Sequence, residues 1–267
     1  MVMEATDRLL SGTDPVLVRV VQRRLEQLGV TVKTNTTIQS AQIDEQGAVV
    51  TTNEGEVIEA DVVLVTVGRV PNTDGLDLAA AGVTVDASGL VAVDARLRSQ
   101  NPRIAAIGDI TPGPMLAHKA SYQGKVAAES LCGQASVADA IAIPAVIFTD
   151  PEIASVGYSE DEARQLGYET VTGRFSFAAN GRALSLDEPR GFVEVVADAS
   201  QGILLGLHAV GPDASSLIGE GGLALEMGAT LEDLALTIHA HPTLPEVWME
   251  AAEQALGRPI HIAPRRR

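Results

Sequence analysis

The sequence is poor in sulfur and in positive charge. It has one cysteine, Cys132, in 267 residues, which excludes an intrachain disulfide and a thiolate-rich zinc site and is typical of a reducing compartment. Nineteen Lys and Arg against 35 Asp and Glu give a formal net charge of −16. That charge repels nucleic acid and anionic lipid unless a local patch reverses its sign. Three arginines at 265–267 form the densest basic cluster, which we expect to be a solvated chain end.

Long hydrophobic runs are absent as well. No apolar run approaches the roughly 20 residues of a membrane span, and the N-terminus lacks the basic-then-apolar order of a secretion signal. We therefore expect a cytoplasmic protein with neither a membrane nor a nucleic acid as partner. The content of 46% hydrophobic residues, 25 glycines and 13 prolines indicates a core-forming globular chain and excludes coiled coil, collagen and general disorder.

The N-terminal region has the pattern of a parallel α/β sheet. Asp14 and Pro15 begin an amphipathic helix that Gly29 ends, and short strand patterns precede and follow it. The preceding pattern is very short, so we expect the chain to start part-way through a sheet. Alternating patterns from 38 to 67 predict strands with turns at 45–47 and 53–55, and the apolar run 62–65 predicts a strand buried on both faces.

The rest of the chain divides near Pro144. Before it, loop signals fill 71–103, an apolar strand is predicted over 104–107, and a helix is predicted over 116–131. After it, a capping box at Ser159 and Glu162 begins a helix that Gly167 ends. Further patterns predict strands at 170–177, 191–197 and 203–210 and helices at 214–227 and 245–256. The fold class predicted is α/β: a partial Rossmann-like region and a central segment, followed by an α+β domain with an antiparallel sheet.

Residues 219–224 match the dinucleotide-binding pattern G-x-G-x-x-G/A. The pattern indicates a phosphate site only where a strand turns into a helix. Here a helix start at 213–216 precedes it, so we expect a packed helix with small residues at a close contact.

Two carboxylates are candidate nucleotide-binding groups. Glu4 follows the opening strand, where it could accept hydrogen bonds from the ribose hydroxyls of NAD; a solvated side chain is the alternative. Gly108 and Asp109 follow the predicted strand 104–107, and residues 113–118 begin a helix. A carboxylate there can hold a ribityl hydroxyl, and a helix N-terminus can stabilise negative charge on a ring. An ordinary turn with an N-cap aspartate is the alternative.

Two histidines and a glutamate lie close together in the sequence at 239–246. Thr243 and Glu246 fit a capping box, which would explain Glu246 structurally. The same spacing places a carboxylate one helical turn from His241, where it could orient the imidazole and raise its basicity, as a general base requires. A metal site formed by His239 and His241 is a weaker interpretation, because no cysteine and no third histidine lies nearby.

Three ordered motifs resemble the pyridine nucleotide-disulfide oxidoreductase family. They are VGRVPNT at 67–73, AIGD at 106–109 with GPMLAHK at 113–119, and HAHPTLPE at 239–246. The last motif is most similar to the branch of the family that oxidises protein-bound dihydrolipoamide. The resemblance extends from Glu4 to about Gly257 and implies an oxidoreductase that uses FAD and NAD.

The resemblance implies a role for each matching residue. The NAD site would include Glu4, which binds the ribose, with Ile38 and Gly68. The FAD site would include Asp109, which holds the ribityl chain, with a helix start formed by Met115, Leu116, Ala117 and His118. His241 would be the catalytic base, oriented by Glu246, and would act on the flavin and dithiol of the other subunit.

The resemblance also implies partners and a domain plan. The partners would be a second copy of the chain, forming a homodimer, and the lipoyl domain of a 2-oxoacid dehydrogenase complex. The plan is an incomplete NAD-binding domain (1–70), a central FAD-contacting segment (71–144) and a dimerisation domain (145–267). Members of the family are nearly twice as long and begin with an FAD-binding unit and a redox-active cysteine pair. We therefore expect a C-terminal portion that is inactive by itself.

Two alternatives stay open. The chain could come from another disulfide reductase of the superfamily, of the glutathione or mercuric reductase type, although the HAHPTLPE motif favours the dihydrolipoamide branch. It could also be a non-catalytic dimerisation fragment. The single Cys132 favours this second alternative, because dithiol-disulfide exchange requires two neighbouring sulfurs.

Overall fold

The computed structural model describes residues 1–45 and 47–263. The basic cluster at 265–267 and Gln46 of the predicted turn at 45–47 lie outside the described residues. The helices and strands, in chain order, are β1 (Val2–Met3), α1 (Pro15–Gln27), β2 (Val32–Lys33), β3 (Ile38–Asp44), β4 (Gly47–Thr52), β5 (Val57–Ala60), α2 (Ala117–Leu131), β6 (Ala145–Ile147), β7 (Glu152–Gly157), α3 (Glu160–Gln165), β8 (Thr170–Ser176), α4 (Gly181–Ser185), β9 (Phe192–Asp198), β10 (Leu204–Gly211), α5 (Ala214–Glu226), α6 (Leu231–Leu236) and α7 (Glu246–Ala255).

The chain folds as two compact units. One comprises Met1–Val63 and Ile141–Arg267, and the other comprises Leu64–Ala140. The three-part division at 70 and 144 stays a prediction.

The first helix forms as its sequence predicts. The Asp14 carboxylate caps α1 by accepting the Val16 N–H at 2.7 Å, and Pro15 occupies the first turn, where its missing N–H costs nothing. The strands on either side, β1 and β2, pair in parallel, as expected. The apolar face of α1 joins a buried cluster in which Leu17 and Val21 pack with Ile153 and Val210. This cluster joins α1 to β7 and β10.

Strands β3, β4 and β5 form an antiparallel meander, which confirms the strands predicted between 38 and 60. The doubly buried strand predicted at 62–65 is wrong. No described strand pairs with this segment, and the side chains of Val62 and Leu64 are 82% and 85% exposed. A strand with apolar residues on both faces needs a packed layer on each side, and the parallel sheet of the described chain has only two strands.

The second half of the first unit is built on a five-stranded antiparallel sheet in the order β6-β7-β10-β9-β8. Helix α7 packs against β8 and β9, and α5 packs against β7 and β10. Their apolar faces meet in one core around the fully buried side chains of Trp248, Phe175 and Phe177. The α+β domain with an antiparallel sheet is therefore confirmed, and so is the Ser159–Glu162 capping box of α3.

The second unit is mostly loops around α2, as predicted. The strand predicted at 104–107 is wrong: only an isolated bridge between Arg98 and Ala105 forms there. The segment around Arg98 that faces Ala105 is too short to form a strand ladder. It is bounded on one side by Leu97, which has a positive φ, and on the other by a turn in which the Ser99 hydroxyl donates to the Ile104 carbonyl at 2.9 Å. The chain as a whole is nevertheless the mixed α/β structure that the sequence predicts.

Candidate functional site

A histidine and a glutamate meet at the start of α7. The His241 Nδ1 lies 2.9 Å from Glu246 Oε1. The other carboxylate oxygen of Glu246 accepts the Thr243 backbone N–H at 2.7 Å. The carboxylate is thus held on both sides and is 17% exposed, whereas the His241 side chain is 76% exposed. The pairing of His241 with Glu246 is the one that the sequence led us to expect, and the structure adds that the imidazole is mostly exposed.

The capping box predicted at Thr243 and Glu246 is only half formed. Glu246 reaches back to the Thr243 N–H, but the Thr243 hydroxyl donates to the Ala240 carbonyl at 2.6 Å instead of accepting the N–H of Glu246. The helix N-cap is Pro245, which has no capping side chain. The Thr243 hydroxyl is therefore used within the turn of the loop and does not cap the helix, which begins at Glu246.

The environment of Glu246 favours its ionised form. Burial opposes ionisation, but the hydrogen bonds from the Thr243 N–H and from His241 outweigh it and lower the pKa of Glu246 below its ordinary value. A carboxylate that stays ionised can orient the imidazole through the contact with Nδ1.

A second pair supports the same loop and was not predicted. The His239 Nε2 lies 2.8 Å from Glu220 Oε1, in the middle of α5. His239 is 7% exposed, and the hydrogen bond to Glu220 raises its pKa, despite the opposing effect of burial. Nineteen residues separate the two groups, and only the packing of α5 brings them together. The G-x-G-x-x-G/A pattern around Glu220 forms part of this packed helix, as expected.

Metal binding by the two histidines finds no support in this geometry. Each histidine is paired with a different glutamate. Within residues 1–45 and 47–263, no group of three or more His, Cys, Asp or Glu side chains is placed to hold a metal ion.

In the second unit, Asp109 lies on a single 3-10 turn, Gly108–Ile110. The amide oxygen of Gln123, on α2, accepts the Gly108 N–H at 2.7 Å and the Thr111 hydroxyl at 3.1 Å. Gly108 has a φ of +72°, and an added Cβ would lie 3.1 Å from the Ala120 Cβ. Glycine therefore allows the turn to lie close against α2, and Gln123 fixes the position of Asp109.

The start of α2 has no side-chain cap. Its N-cap, Leu116, offers no side chain to the first N–H groups, which leaves partial positive charge at this end. Arg69 joins this region to the turn, since one of its nitrogens lies 3.4 Å from Asp109 Oδ2 and another donates to the Met115 carbonyl. Asp109 remains 45% exposed. The structure thus brings together Asp109 and the helix start 115–118 that the sequence indicated, and it adds Arg69 and Gln123.

The buried Lys119 completes the turn before α2. Its ammonium donates to the carbonyls of Thr111 and Pro112 at 3.2 and 3.0 Å. Desolvation lowers the pKa of Lys119, against the attraction of Asp109. This lysine stands in the GPMLAHK motif, but its buried position could not be read from the sequence.

Two of the three residues predicted for an NAD site, Glu4 and Ile38, belong to the first unit. Glu4 follows β1, and its Oε1 accepts both the N–H and the hydroxyl of Thr6 at 2.8 Å, which lowers its pKa. Ile38 begins β3 and is partly exposed. Gly68 has a φ of +120° and belongs to the other unit.

Both halves of the chain match models of one family. The model for pyridine nucleotide-disulphide oxidoreductase matches residues 1–124, and the model for the dimerisation domain of the same family matches residues 143–252. The chain therefore belongs to the pyridine nucleotide-disulphide oxidoreductase family, as its motifs indicated.

No helix of the described residues combines the length and the hydropathy needed to cross a membrane.

Individual proteins of the family are similar to this chain over most of its length. The chain is 51% identical over 264 residues to a dihydrolipoyl dehydrogenase of Geobacillus stearothermophilus, a match that covers 98% of this chain and 56% of the relative. A dihydrolipoyl dehydrogenase of Halobacterium salinarum is 48% identical, with 99% and 56% covered. The crystal structure of LpdA from Mycobacterium tuberculosis is similar with a TM-score of 0.88 at 30% identity, covering 94% of this chain and 55% of that one. The chain thus spans little more than half the length of these relatives.

Proposed function

We propose that this chain forms part of a flavoprotein disulfide oxidoreductase that oxidises protein-bound dihydrolipoamide and passes the electrons through FAD to NAD. The His241–Glu246 pair carries the proposal. An exposed imidazole, held through Nδ1 by an ionised carboxylate, has its second ring nitrogen available to take the proton of an incoming thiol. Removing that proton yields the thiolate, which is the species that attacks a disulfide.

The residues around α2 fit a flavin. FAD supplies the redox centre between the sulfur pair and the nicotinamide. Asp109 offers a half-exposed carboxylate that can accept a ribityl hydroxyl hydrogen, and the uncapped N-terminus of α2 can stabilise negative charge on a ring. The Arg69 Nη1 lies 3.4 Å from Asp109 Oδ2. The carboxylate can therefore still accept a hydrogen bond from a hydroxyl.

The ribose of NAD fits Glu4 in the same way. Thr6 engages one carboxylate oxygen and fixes its direction, while the carboxylate can accept the ribose hydroxyls and disfavours a 2′-phosphate by charge. Ile38 and Gly68 belong to the same proposal, as residues that line the NAD site.

A homodimer forms part of the proposal. In the first unit, four apolar side chains are exposed: Leu223 on α5, Met227 directly after it, Leu236 on α6, and Ile238 in the loop 237–245 between α6 and α7, which carries the two histidines and is called the histidine loop below. Ile238, which is 95% exposed, directly precedes His239. Since a monomer rarely exposes so much apolar surface, a second copy is proposed to cover it, with His241 acting at the flavin of the partner. The lipoyl domain would be the substrate-bearing partner.

A chimera tests the activity. This chain would replace the matching residues of the Geobacillus stearothermophilus relative, which supplies the remaining part. We expect the chimera to bind FAD and to reduce NAD with dihydrolipoyl domain, and we expect His241→Ala to lower turnover by roughly a hundredfold or more with flavin absorbance unchanged. A folded, flavin-bound chimera that prefers glutathione, or whose turnover is unaffected by His241→Ala, would refute the proposal.

The single cysteine supports a second candidate, a non-catalytic dimerisation module. Cys132 follows α2 and is exposed, and one thiol cannot undergo dithiol exchange within the chain. Size-exclusion chromatography of the 267-residue chain, with and without FAD, separates the two candidates. A colourless stable dimer favours the module, whereas a yellow protein with lipoamide activity excludes it.

A further inference from the structure

A pocket of about 450 Å³ lies between α1 and the start of β9. It is lined by four arginines and by three apolar residues, Val16 and Val20 on α1 and Phe192 on the opposite wall. The four arginines are Arg19, Arg23 and Arg24 on α1 and Arg190 before β9. All belong to the first compact unit.

One face of α1 supplies most of the lining. Positions 16, 19, 20, 23, 24 and 27 line the pocket, a spacing of three and four residues that places them on one stripe of the helix. The apolar residues Leu17 and Val21 lie on a different stripe, which packs into the core. Val20, which lines the pocket, also packs partly against this core, whereas Arg19 and Arg23 are exposed.

The charge in the pocket is not balanced by the protein. Arg24 pairs with Asp150 at 2.9 Å and Arg190 pairs with Glu188 at 2.6 Å. Arg19 and Arg23 form no ion pair with any carboxylate in the described part of the chain. Two positive charges thus remain at this pocket, on a chain whose formal net charge is −16.

The opposite wall is fixed by a backbone turn. Gly191 has a φ of +94°, and an added Cβ would lie 1.8 Å from the Val210 carbonyl oxygen. Only glycine therefore allows this close approach, which sets Arg190 and Phe192 at the pocket. The guanidinium of Arg190 pairs with Glu188 through Nη2, and its Nε is buried without a hydrogen-bond partner.

We propose that this pocket binds a small phosphate-bearing anion with two or more negative charges. Guanidinium groups match phosphate oxygens with paired hydrogen bonds, and the volume is that of a small-molecule site. The acidic surface elsewhere repels long polyanions and anionic membranes, which favours a compact ligand. Val20 and Phe192 leave an apolar wall for an organic body attached to the phosphate.

Titration of the 267-residue chain with pyrophosphate, followed by calorimetry, tests the proposal. The variant is Arg19→Gln with Arg23→Gln. The matched control is Arg96→Gln with Arg103→Gln, which removes two exposed arginines of the other unit and changes the net charge equally. We expect the variant to weaken pyrophosphate binding by about tenfold or more and the control to change it by less than about twofold. Circular dichroism should show that both proteins remain folded.

Titrations with other ligands test which chemical class the pocket binds. Inorganic phosphate should bind more weakly than pyrophosphate, and adenosine diphosphate should bind at least as tightly if the apolar wall accepts an organic body. The proposal is overturned if pyrophosphate produces no heat up to about 10 mM, or if the control loses as much affinity as the variant. It is also overturned if a hexaglutamate peptide or vesicles of anionic lipid bind at the arginines more tightly than pyrophosphate.

Discussion

A hydrogen bond of 2.8 Å between His239 Nε2 and Glu220 Oε1, which is an ion pair when the histidine is protonated, fastens the histidine loop to the middle of α5. The exposed His241 lies two residues further along. One buried histidine therefore holds the loop in place, while the other presents its ring to solvent. Replacing either member of the buried pair should disturb the position of His241 as well as the stability of the chain.

The first prediction concerns how this pair responds to pH. The pKa of His239 is raised in the folded chain, so the pair contributes fully below the unfolded pKa of about 6.5 and the contribution is lost as the pH rises through the raised folded value. Glu220→Gln should therefore reduce the free energy of unfolding by about 1 kcal/mol at pH 6 and by less at pH 9. Urea unfolding at both pH values measures the difference.

Glu54→Gln is the matched control for this measurement. Glu54 is exposed, and its replacement removes the same charge without breaking a buried pair. Its effect should stay within about 0.5 kcal/mol at either pH. A Glu220→Gln effect that grows as the pH rises would contradict the assigned ion pair.

The second prediction compares the contributions of His241 and Glu246 to the stability of the chain. His241→Ala should change the free energy of unfolding by less than about 0.5 kcal/mol, because the ring is mostly exposed. Glu246→Ala should cost about 1 kcal/mol or more, since it leaves the Thr243 N–H without its acceptor. Chemical unfolding of both variants at neutral pH measures the difference. Equal losses would indicate that His241 is a structural residue.

Local signals predicted much of the fold. The Asp14-Pro15 start of α1 and the Ser159–Glu162 capping box of α3 depend on hydrogen bonds within one helical turn, so the sequence contains all the information they need. The T-x-x-D pattern at Thr230 and Asp233, which caps α6, was equally available and was missed. The pairing of His241 with Glu246 was predictable for the same reason, since five residues separate them.

Features that depend on distant segments were not predictable. The run 62–65 has the composition of a buried strand, but burial requires neighbours that composition cannot supply, and the segment is exposed. The contact between Glu220 and His239 requires α5 to pack beside the loop. Arg190 reaches the arginines of α1 for the same kind of reason, because the two segments lie far apart in the sequence.

The third prediction uses the glycine pattern of α5 as its own control. An added Cβ on Gly219 meets nothing within 4 Å, whereas one on Gly221 would lie 3.1 Å from the Leu207 Cβ. Gly219→Ala should raise the free energy of unfolding by about 0.5–1 kcal/mol, because alanine favours the helix. Gly221→Ala should give a smaller gain or a loss, because the neighbouring side chains must shift. Thermal unfolding of the two variants measures the difference in stability. A larger gain from Gly221→Ala would show that this contact is not tight.

The last prediction concerns the turn that carries Asp109. Gln123 is 9% exposed, and its amide oxygen accepts the Gly108 N–H and the Thr111 hydroxyl. Gln123→Leu keeps much of the volume but leaves the Gly108 N–H buried without an acceptor, so the second unit should lose about 1–3 kcal/mol of stability. Amide hydrogen exchange should quicken at Gly108, while Gln134→Leu, at an exposed position, should leave that rate unchanged. If Gly108 keeps its protection in Gln123→Leu, the 3-10 turn holds Asp109 without help from α2, and this carboxylate owes its position to Arg69 and the local backbone instead.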